Sequence, residues 1–193
     1  PGAAAAVWRS RDGGRTWGPL QVIWDDGPNT CGNPCPVVDR STRTIWLPLT
    51  HNLGDDDESE IKRGTGARAR TVWMSKSGDH GATWSKPVDV TATTKAGNWT
   101  WYATGPGAGI QIEGGPWGDR LVVPCDHNVG TPSRRGAHVI YSDDHGRTWS
   151  CGEAAPKYDV NECEVVQLTD ARLMLNMRNY DRSTPARQIA VSD

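Results

Sequence analysis

Three features of the sequence predict an all-β fold built from propeller blades. An eight-residue motif, Ser-x-Asp-x-Gly-x-Thr-Trp, occurs at 10–17, 77–84 and 142–149, so its copies begin 67 and 65 residues apart. Between the copies lie short segments rich in β-branched and aromatic residues, bounded by clusters of Gly, Pro, Asn and Asp. No segment shows a sustained helical period. Repeats of this length with about four strands each are typical of propellers.

Seven segments carry the strand signal most strongly, because each is short, rich in β-branched or aromatic residues and bounded by turn formers. The predicted strands are 44–50, 70–76, 120–125, 137–142, 164–169, 172–178 and 187–192. The last of them runs into AVSD, which is similar to the lead-in of the third motif. The chain is therefore expected to stop inside a fourth repeat.

The repeated motif is predicted to be part of the scaffold. Each copy follows a strand, so it should form the hairpin turn that leaves the strand, with the Asp carboxylate accepting hydrogen bonds from free backbone N–H groups. Gly permits the positive φ that such a turn needs. Thr is expected to begin the next strand, and Trp to place its ring between neighbouring sheets. Three catalytic carboxylates are the alternative, but identical copies on separate blades cannot converge on one site.

Charge and hydropathy argue against a nucleic-acid partner and against a transmembrane segment. The 193 residues carry a formal net charge of -2, and acidic and basic residues are interspersed, so no nucleic-acid partner is expected. No apolar run approaches the length that crosses a membrane, so no transmembrane segment is expected. The chain begins at Pro1, so the lack of a visible signal peptide says nothing about localisation, which stays open.

The five cysteines do not follow a metal-binding pattern. They lack the paired Cys-x-x-Cys spacing of a zinc site. Cys31 and Cys35 are close enough in sequence to be bridged, but free and mostly buried thiols are the favoured interpretation. The cysteines lie at positions 31, 35, 125, 151 and 163.

The repeated motif resembles the Asp box, the bacterial neuraminidase repeat of the sialidase superfamily. Asp boxes alone are moderately specific, because other propeller glycosidases and sorting receptors also carry them. The sequence between the boxes narrows the resemblance to exo-α-sialidases, in which similar segments follow in the same order. These segments are NPCPVVD (33–39), TGPGAGIQ (104–111), LVVPCDH (121–127), NECEVVQL (161–168) and LNMRNY (175–180). The resemblance covers almost the whole chain.

The resemblance implies a six-bladed β-propeller, of which this chain holds about three blades. Residues 1–193 are then expected to be a partial propeller domain, incomplete at both ends. The family hydrolyses terminal α-linked sialic acids from glycoproteins, gangliosides and oligosaccharides, and needs no metal or other cofactor. Three arginines grip the substrate carboxylate, a Tyr paired with a Glu is the nucleophile, and an Asp acts as acid and base. A neutral phenol suits an anionic sugar, because the sugar would repel a carboxylate nucleophile.

The resemblance assigns two catalytic residues within this chain. Glu162, in NEC, matches the Glu that polarises the nucleophilic Tyr, and Arg178, in LNMRN, matches one arginine of the triad. Arg178 ends the predicted strand 172–178, which the tight turn at 169–172 joins to the strand that bears Glu162. This connection should place the two residues side by side at the mouth of the central funnel. A guanidinium meets a carboxylate with two parallel hydrogen bonds, which Lys cannot copy. From composition alone, each would be an ordinary solvated side chain.

Three further residues are expected to contact the sugar. Glu58 matches a family Glu on the loop before the second Asp box, with Glu60 as the alternative in the same acidic, solvated loop. Asp126 and His127 fall at a predicted strand end, where they would contact the glycerol tail or the N-acyl group. The alternative is that they are hydrogen-bonded loop residues. In the aromatic segment 98–102, core tryptophans are favoured over a platform for the glycan.

The remaining catalytic groups are expected outside residues 1–193: the acid/base Asp, the nucleophilic Tyr and the other two arginines. Tyr180 is too close in sequence to Arg178 to be the nucleophile. The isolated chain is therefore expected to be inactive and to expose apolar flanking faces. Two other functions stay open. One is a non-catalytic Asp-box propeller that binds glycans or proteins, and the other is a propeller glycosidase that uses two carboxylates and does not need Arg178.

Overall fold

The computed structural model describes residues 2–130 and 134–192. Within these ranges, fifteen short strands form four sheets whose strand pairs are antiparallel, and the two helices are six and four residues long. The sheets follow one another along the chain, so each is made from one continuous stretch of sequence. The predicted all-β class is confirmed. No helix in the described part of the chain has the length and apolar character needed to cross a membrane.

The first two sheets come from the first half of the chain. The first sheet pairs β1 (Ala5–Val7) with β2 (Gln21–Trp24). The second sheet consists of β3 (Thr30–Gly32), β4 (Val37–Asp39), β5 (Thr44–Asn52), β6 (Thr71–Ser77) and β7 (Val88–Asp89). Helix α1 (Glu58–Arg63) lies in the connection between β5 and β6, and α2 (Thr91–Thr94) follows β7.

The last two sheets come from the second half. The third sheet consists of β8 (Trp99–Thr104), β9 (Ile110–Gln111), β10 (Leu121–Val129), β11 (Arg134–Ser142) and β12 (Ser150–Cys151). The fourth sheet consists of β13 (Val160–Gln167), β14 (Leu173–Asn179) and β15 (Gln188–Val191).

Each of the two middle sheets has four strand positions, of which the first is interrupted. Both β3 and β4 pair with β5, and both β8 and β9 pair with β10. This agrees with the prediction of about four strands per repeat. All seven predicted strands are present, with ends that differ by a few residues. Of the interrupted strands, β3, β4 and β9 escaped prediction because segments of two or three residues are too short to show an alternating pattern. The six residues of β8 were not predicted as a strand either.

Successive sheets pack face to face and bury apolar side chains between them. Leu49 belongs to the core between the first and second sheets, Val72 and Leu121 to the next, and Val122 and Val165 to the core between the third and fourth. None of these five side chains is more than 2% exposed. Fully burying such a side chain contributes about 1.5–3 kcal/mol, so the contact between sheets is a main source of stability.

The Asp boxes are turns closed by one carboxylate. In the third box, Asp144 accepts hydrogen bonds from the backbone N–H and the hydroxyl of Thr148, at 2.8 and 2.7 Å, and from the Ser142 hydroxyl at 2.8 Å. The same three bonds recur in the other two boxes. Gly146 has a φ of 82°, in the left-handed region that Gly adopts without strain. This geometry agrees with the prediction that the boxes are scaffold turns.

Two details of the predicted box are wrong. Thr148 closes the turn instead of beginning a strand, because Asp144 takes up both its N–H and its hydroxyl, and β12 begins two residues later. Trp84 and Trp149 pack against the sheet that precedes each of them, as predicted. Trp17 has no preceding sheet among the described residues and is 63% exposed.

The acidic segment before the second box is a helix, not the solvated loop that we expected. Asp57 caps helix α1 by accepting hydrogen bonds from the N–H groups of Ser59 and Glu60, at 2.7 and 2.9 Å. In return, the Asp57 N–H donates to the Glu60 carboxylate, which completes a capping box. Gly64 ends the helix at a φ of 75°, and Ile61 anchors it in the interior. The helix is too short for a periodic signal, so only its caps could have revealed it.

All five cysteines are free thiols, as favoured from the sequence. Four are buried and Cys151 is half-buried. Burial raises the pKa of Cys35 to about 12, so this thiol stays protonated at neutral pH.

Candidate active site

A cavity of about 320 Å³ opens where the second, third and fourth sheets meet. Its wall combines cations, carboxylates, amides and aromatic rings. The charged side chains are Glu58, Lys62, Arg70, Asp126, Glu162 and Arg178, and the amide and aromatic side chains are Asn33, Asn161, Trp101 and Tyr180. Three basic and three acidic side chains thus surround one small space. It can bind a ligand that is both anionic and rich in hydroxyl groups.

Arg178 and Glu162 form an ion pair at the rim of this cavity. The Arg178 Nη1 donates to Glu162 Oε2 at 2.8 Å, and both side chains are about half exposed, at 51% and 45%. Arg178 lies in β14 opposite Asn161 in β13, so the two strands bring the pair together directly. The hydrogen bond to Glu162 raises the pKa of Arg178 above its already high value. The side-by-side placement predicted from the two strands is confirmed.

The Tyr180 ring lies beside two arginines at the rim of the cavity. Its ring centroid lies 4.9 Å from the guanidinium carbon of Arg178 and 4.3 Å from that of Arg135 in β11. The Tyr180 N–H donates to the Asp159 carbonyl at 2.7 Å, which holds the backbone after β14. The electron-rich face of the ring attracts both guanidinium groups.

Asp126 lies in the interior of β10, not at a strand end as predicted. The residue lines the cavity but is only 2% exposed. Burial raises the pKa of Asp126 to about 7; Glu162 and Glu58 act in the same direction, while Lys62 and Arg70 oppose them. At neutral pH this carboxyl group is therefore divided between its acid and its carboxylate form.

His127 is the next residue of β10 and lies in the core, away from the cavity. Its ring stacks on Trp99 with centroids 3.6 Å apart, and its Nδ1 lies 3.1 Å from the Nδ1 of His138. His138 in turn hydrogen-bonds the Tyr102 hydroxyl through Nε2 at 3.0 Å. Burial lowers the pKa of His127 to about 4. Consecutive strand residues face opposite sides of a sheet, so His127 does not share the cavity with Asp126. The structure therefore does not place His127 where it was expected to contact the sugar.

Of the two acidic candidates on α1, Glu58 lines the cavity. It is the first residue of the helix and pairs with Lys62 one turn later. Glu60 instead points back to the helix start, where its carboxylate accepts the Asp57 N–H at 3.3 Å. The capping box thus uses the carboxylate of Glu60, whereas Glu58 lines the cavity.

Arg70 and Trp101 belong to the site. Arg70 escaped sequence analysis, whereas Trp101 lies in the segment in which core tryptophans were favoured over a platform for the glycan. Arg70 is 5% exposed, donates from Nε to Asn52 Oδ1 at 3.0 Å and from Nη1 to the Tyr102 carbonyl at 3.3 Å. The Trp101 ring lies 4.2 Å from the guanidinium carbon of Arg70 and 4.6 Å from Lys62 Nζ. Burial lowers the pKa of Arg70 to about 10, so the group stays charged. No sequence signal separates this Arg from the many others in the chain.

The aromatic segment that contains Trp101 divides between core and cavity. Trp99 is buried in the core, as favoured, whereas Trp101 lines the cavity. Within residues 2–130 and 134–192, no group of three His, Cys, Asp or Glu side chains is placed to hold a metal ion.

A family model for the BNR repeat-like domain matches residues 3–193. Human Sialidase-4 is 34% identical over 163 residues, which are 77% of this chain and 33% of that protein. The sialidase of Micromonospora viridifaciens is 34% identical over 192 residues, 95% of this chain and 29% of its own length. The chain thus spans about a third of the length of these curated relatives.

Solved structures of sialidases share the fold. The Hadza microbial sialidase Hz136 superposes with a TM-score of 0.84 at 28% identity, covering 98% of this chain and 38% of that one. Trypanosoma rangeli sialidase in complex with the inhibitor DANA gives a TM-score of 0.76 at 20% identity, covering 98% and 31%. The fold and the site together therefore define a β-propeller protein whose blades carry Asp-box turns. The chain belongs to the BNR repeat-like domain family and, with it, to the sialidase superfamily.

Proposed function

We propose that this chain is the central part of an exo-α-sialidase that hydrolyses terminal α-linked sialic acids with retention of configuration. One observation carries the proposal: Arg178 and Glu162 meet at 2.8 Å on the rim of a charged cavity. The relatives named sialidases support the reaction class. The proposed substrates are sialylated glycoproteins, gangliosides and oligosaccharides.

Arg178 is proposed to bind the carboxylate of the sugar. Glu162 accepts a hydrogen bond only from Nη1 of Arg178, so the other guanidinium N–H groups of Arg178 remain for the carboxylate of a ligand. About half of the Arg178 side chain is exposed. A planar guanidinium fits a carboxylate through two parallel hydrogen bonds. Glu162 keeps Arg178 in place before the substrate arrives, which lowers the entropic cost of binding.

Glu162 is proposed to accept the proton of a nucleophilic Tyr. A phenol is a weak nucleophile at neutral pH, and a neighbouring carboxylate activates it as a general base. The phenol approaches the anionic sugar without charge repulsion, which a carboxylate nucleophile would suffer. The Tyr, the acid/base Asp and the other two arginines are proposed to come from other blades of the same six-bladed propeller. Residues 1–193 are on this proposal a partial propeller domain.

Glu58 and Asp126 are proposed to contact polar substituents of the sugar. Glu58 lines the cavity from helix α1, and Asp126 lines it from β10. A hydroxyl-rich ligand offers both donors and acceptors, and so suits a wall that carries both carboxyl and amide groups. No metal or organic cofactor is part of the proposed chemistry.

The test is release of a fluorophore from an α-sialoside by the full-length protein that contains this chain. Proton NMR of the first product formed reports its anomeric configuration, and the α-anomer is expected. A protein that binds sialosides without cleaving them would instead support a non-catalytic propeller. Cleavage that survives replacement of Arg178 would support a glycosidase based on two carboxylates.

A further inference from the structure

A second hollow, of about 640 Å³, lies directly beside the cavity. The two hollows share a wall, because Arg178 and Tyr180 line both of them. The rest of the second hollow is formed mainly by residues 181–187, which connect β14 with β15. A ligand that fills the cavity and extends past Arg178 therefore meets the second hollow.

One side chain holds the shape of this connecting segment. The Asn179 Nδ2 group donates to the carbonyls of Thr184 and Ala186, at 2.7 and 2.9 Å. The Asn179 Oδ1 accepts from the Asp181 N–H at 2.9 Å and from the Gln188 amide at 2.8 Å. The segment is thus shaped by the protein itself, which lowers the cost of ordering it around a ligand.

The second hollow carries an excess of positive charge. Three arginines line it, at positions 178, 182 and 187, against one carboxylate, that of Asp181. Asp181 accepts hydrogen bonds from the N–H and the hydroxyl of Ser183, at 2.9 and 2.6 Å. The whole chain has a formal net charge of -2, so this excess of positive charge is local. Such a place favours an anionic ligand.

Arg135 brings a further cation to the shared wall. Its guanidinium carbon lies 4.3 Å from the Tyr180 ring centroid, and that of Arg178 lies 4.9 Å from the same centroid. The two guanidinium carbons are therefore no farther apart than the sum of these distances. Two like charges this close repel each other, and a nearby anion relieves the repulsion. The contact with the ring uses the charge of Arg135 and leaves its N–H donors for a ligand.

The chemistry of a sialoside connects the two hollows. The carboxylate and the glycosidic oxygen of a sialic acid are attached to the same carbon atom. If Arg178 binds the carboxylate, the bond to the next sugar therefore begins beside Arg178, at the wall that both hollows share. The next sugar is then the part of the substrate that meets the second hollow.

We propose that the second hollow, together with Arg135, is a subsite for an anionic sugar next to the terminal sialic acid. The proposal rests on the proposed function, because it takes a sialoside as the ligand. Arg135 and Arg182 bind the anionic group through charge-assisted hydrogen bonds. Two sugars have the required chemistry: a second sialic acid, which carries a carboxylate, and a sulfated hexose.

The test compares kcat/KM of the full-length protein for two pairs of substrates, each of which differs only in the anionic group. The first pair is a disialoside, in which the terminal sialic acid is attached to a second one, and the same compound with its inner carboxyl group converted to an amide. The second pair is a sialylated lactose with and without a sulfate on the galactose. We expect kcat/KM to be about threefold to tenfold higher for the anionic member, because partly exposed ion pairs are weak. The pair that shows this ratio identifies the source of the anion.

Arg135→Gln and Arg182→Gln are each expected to bring the ratio down toward one, because each removes a positive charge and keeps a polar side chain. The ratio compares two substrates on one preparation, so it does not depend on the fraction of the variant that is folded. Added salt should lower the wild-type ratio as well, because it screens partly exposed charges.

Arg147→Gln is the matched control. It changes the net charge by the same amount, and Arg147 is an exposed residue of the third Asp box, beyond the other end of the strand that carries Arg135. This variant is expected to keep the wild-type ratio. A fall in only one of the two test variants would assign the subsite to that arginine.

Three results would overturn the subsite. The first is a wild-type ratio of one for both pairs of substrates. The second is a ratio that stays at the wild-type value in both test variants. The third is an equal fall in Arg147→Gln, which would mean that net charge matters and position does not. In each case, cleavage of the sialylated lactose by the wild type would leave the sialidase function standing. A wild-type protein that neither binds nor cleaves any sialoside would overturn both proposals.

Discussion

Asp126 and His127 are consecutive residues of β10 whose side chains lie in different environments on opposite faces of one sheet. Asp126 lines the cavity, and His127 stacks on Trp99 in the core. Both side chains are almost fully buried, at 2% and 1% exposure. Burial disfavours the charged form of each, so the pKa of the acid rises to about 7 and that of the base falls to about 4. The stability of the chain should therefore depend on pH in two opposite ways.

Asp126→Asn is expected to stabilise the protein at alkaline pH. The raised pKa of Asp126 means that, from 3.8 up to about 7, the unfolded state ionises while the folded state keeps its proton. Stability from this group is thus complete below 3.8 and is lost as the pH rises through about 7. The variant should exceed wild type by up to a few kcal/mol at about pH 8 and by little at about pH 4. Urea denaturation at both pH values measures this, and a constant difference would contradict it.

The buried histidines are expected to make the fold sensitive to acid. The pKa of His127 is lowered from 6.5 to about 4, and that of His138 is lowered as well, because burial disfavours imidazolium. The contribution of His127 to stability is therefore complete above pH 6.5 and is lost as the pH falls through about 4, and that of His138 is lost in the same direction. His127→Phe, which can keep the stack on Trp99, should flatten this slope. The slope of unfolding free energy against pH should be measured in an Asp126→Asn background, because Asp126 acts in the opposite direction over the same range.

Arg178→Lys is expected to lower kcat/KM for a sialoside about a hundredfold or more in the full-length protein. Lysine keeps the charge but loses the planar fork, and it leaves Glu162 without its 2.8 Å partner. Arg120→Lys is the control, because Arg120 pairs with Asp143 through two bonds of 2.6 and 2.9 Å away from the cavity. Steady-state kinetics of both variants check this. Similar losses in the two would mean that any broken Arg–carboxylate pair disturbs the full-length protein.

The three Asp boxes are expected to differ in their contribution to stability. Trp149→Ala should destabilise the protein by about 3–5 kcal/mol, because its ring is buried between two sheets at 3% exposure. Trp17→Ala should cost less than about 1 kcal/mol, because that ring is 63% exposed. Chemical denaturation of both variants of this chain makes the comparison. Equal losses would show that the motif stabilises its own turn and not the packing of sheets.

Residues 1–193 alone are expected to release no fluorophore from an α-sialoside. The nucleophile, the acid/base and two of the three arginines are proposed to come from other blades, outside residues 1–193. Addition of the purified chain to the substrate, beside the full-length protein at the same concentration, gives the comparison. Turnover by the chain alone would require a catalytic set within it, with Tyr180 as the first residue to replace.

The sequence determined the features of this protein that depend on local chemistry. The Ser, Asp, Gly and Thr of each box satisfy one another within eight residues, so the turn is readable wherever the motif occurs. The strands on either side follow from side-chain composition in the same way. Even the pairing of Glu162 with Arg178 was predictable, because only a tight turn separates the strands that carry them.

Only the tertiary structure decided which side chains share the cavity. A strand pattern does not reveal which face of the sheet meets the core, so the positions of Asp126 and His127 could not be distinguished. The bulge of β13 at which Asn161 and Glu162 both line the cavity has no signal in the local sequence. Arg70 and Trp101 line the cavity from different sheets. Arg70 is held by hydrogen bonds and a ring contact with residues far away in sequence. These groups are brought together by the packing of whole sheets, and the free energy of that packing depends on contacts that no single segment contains.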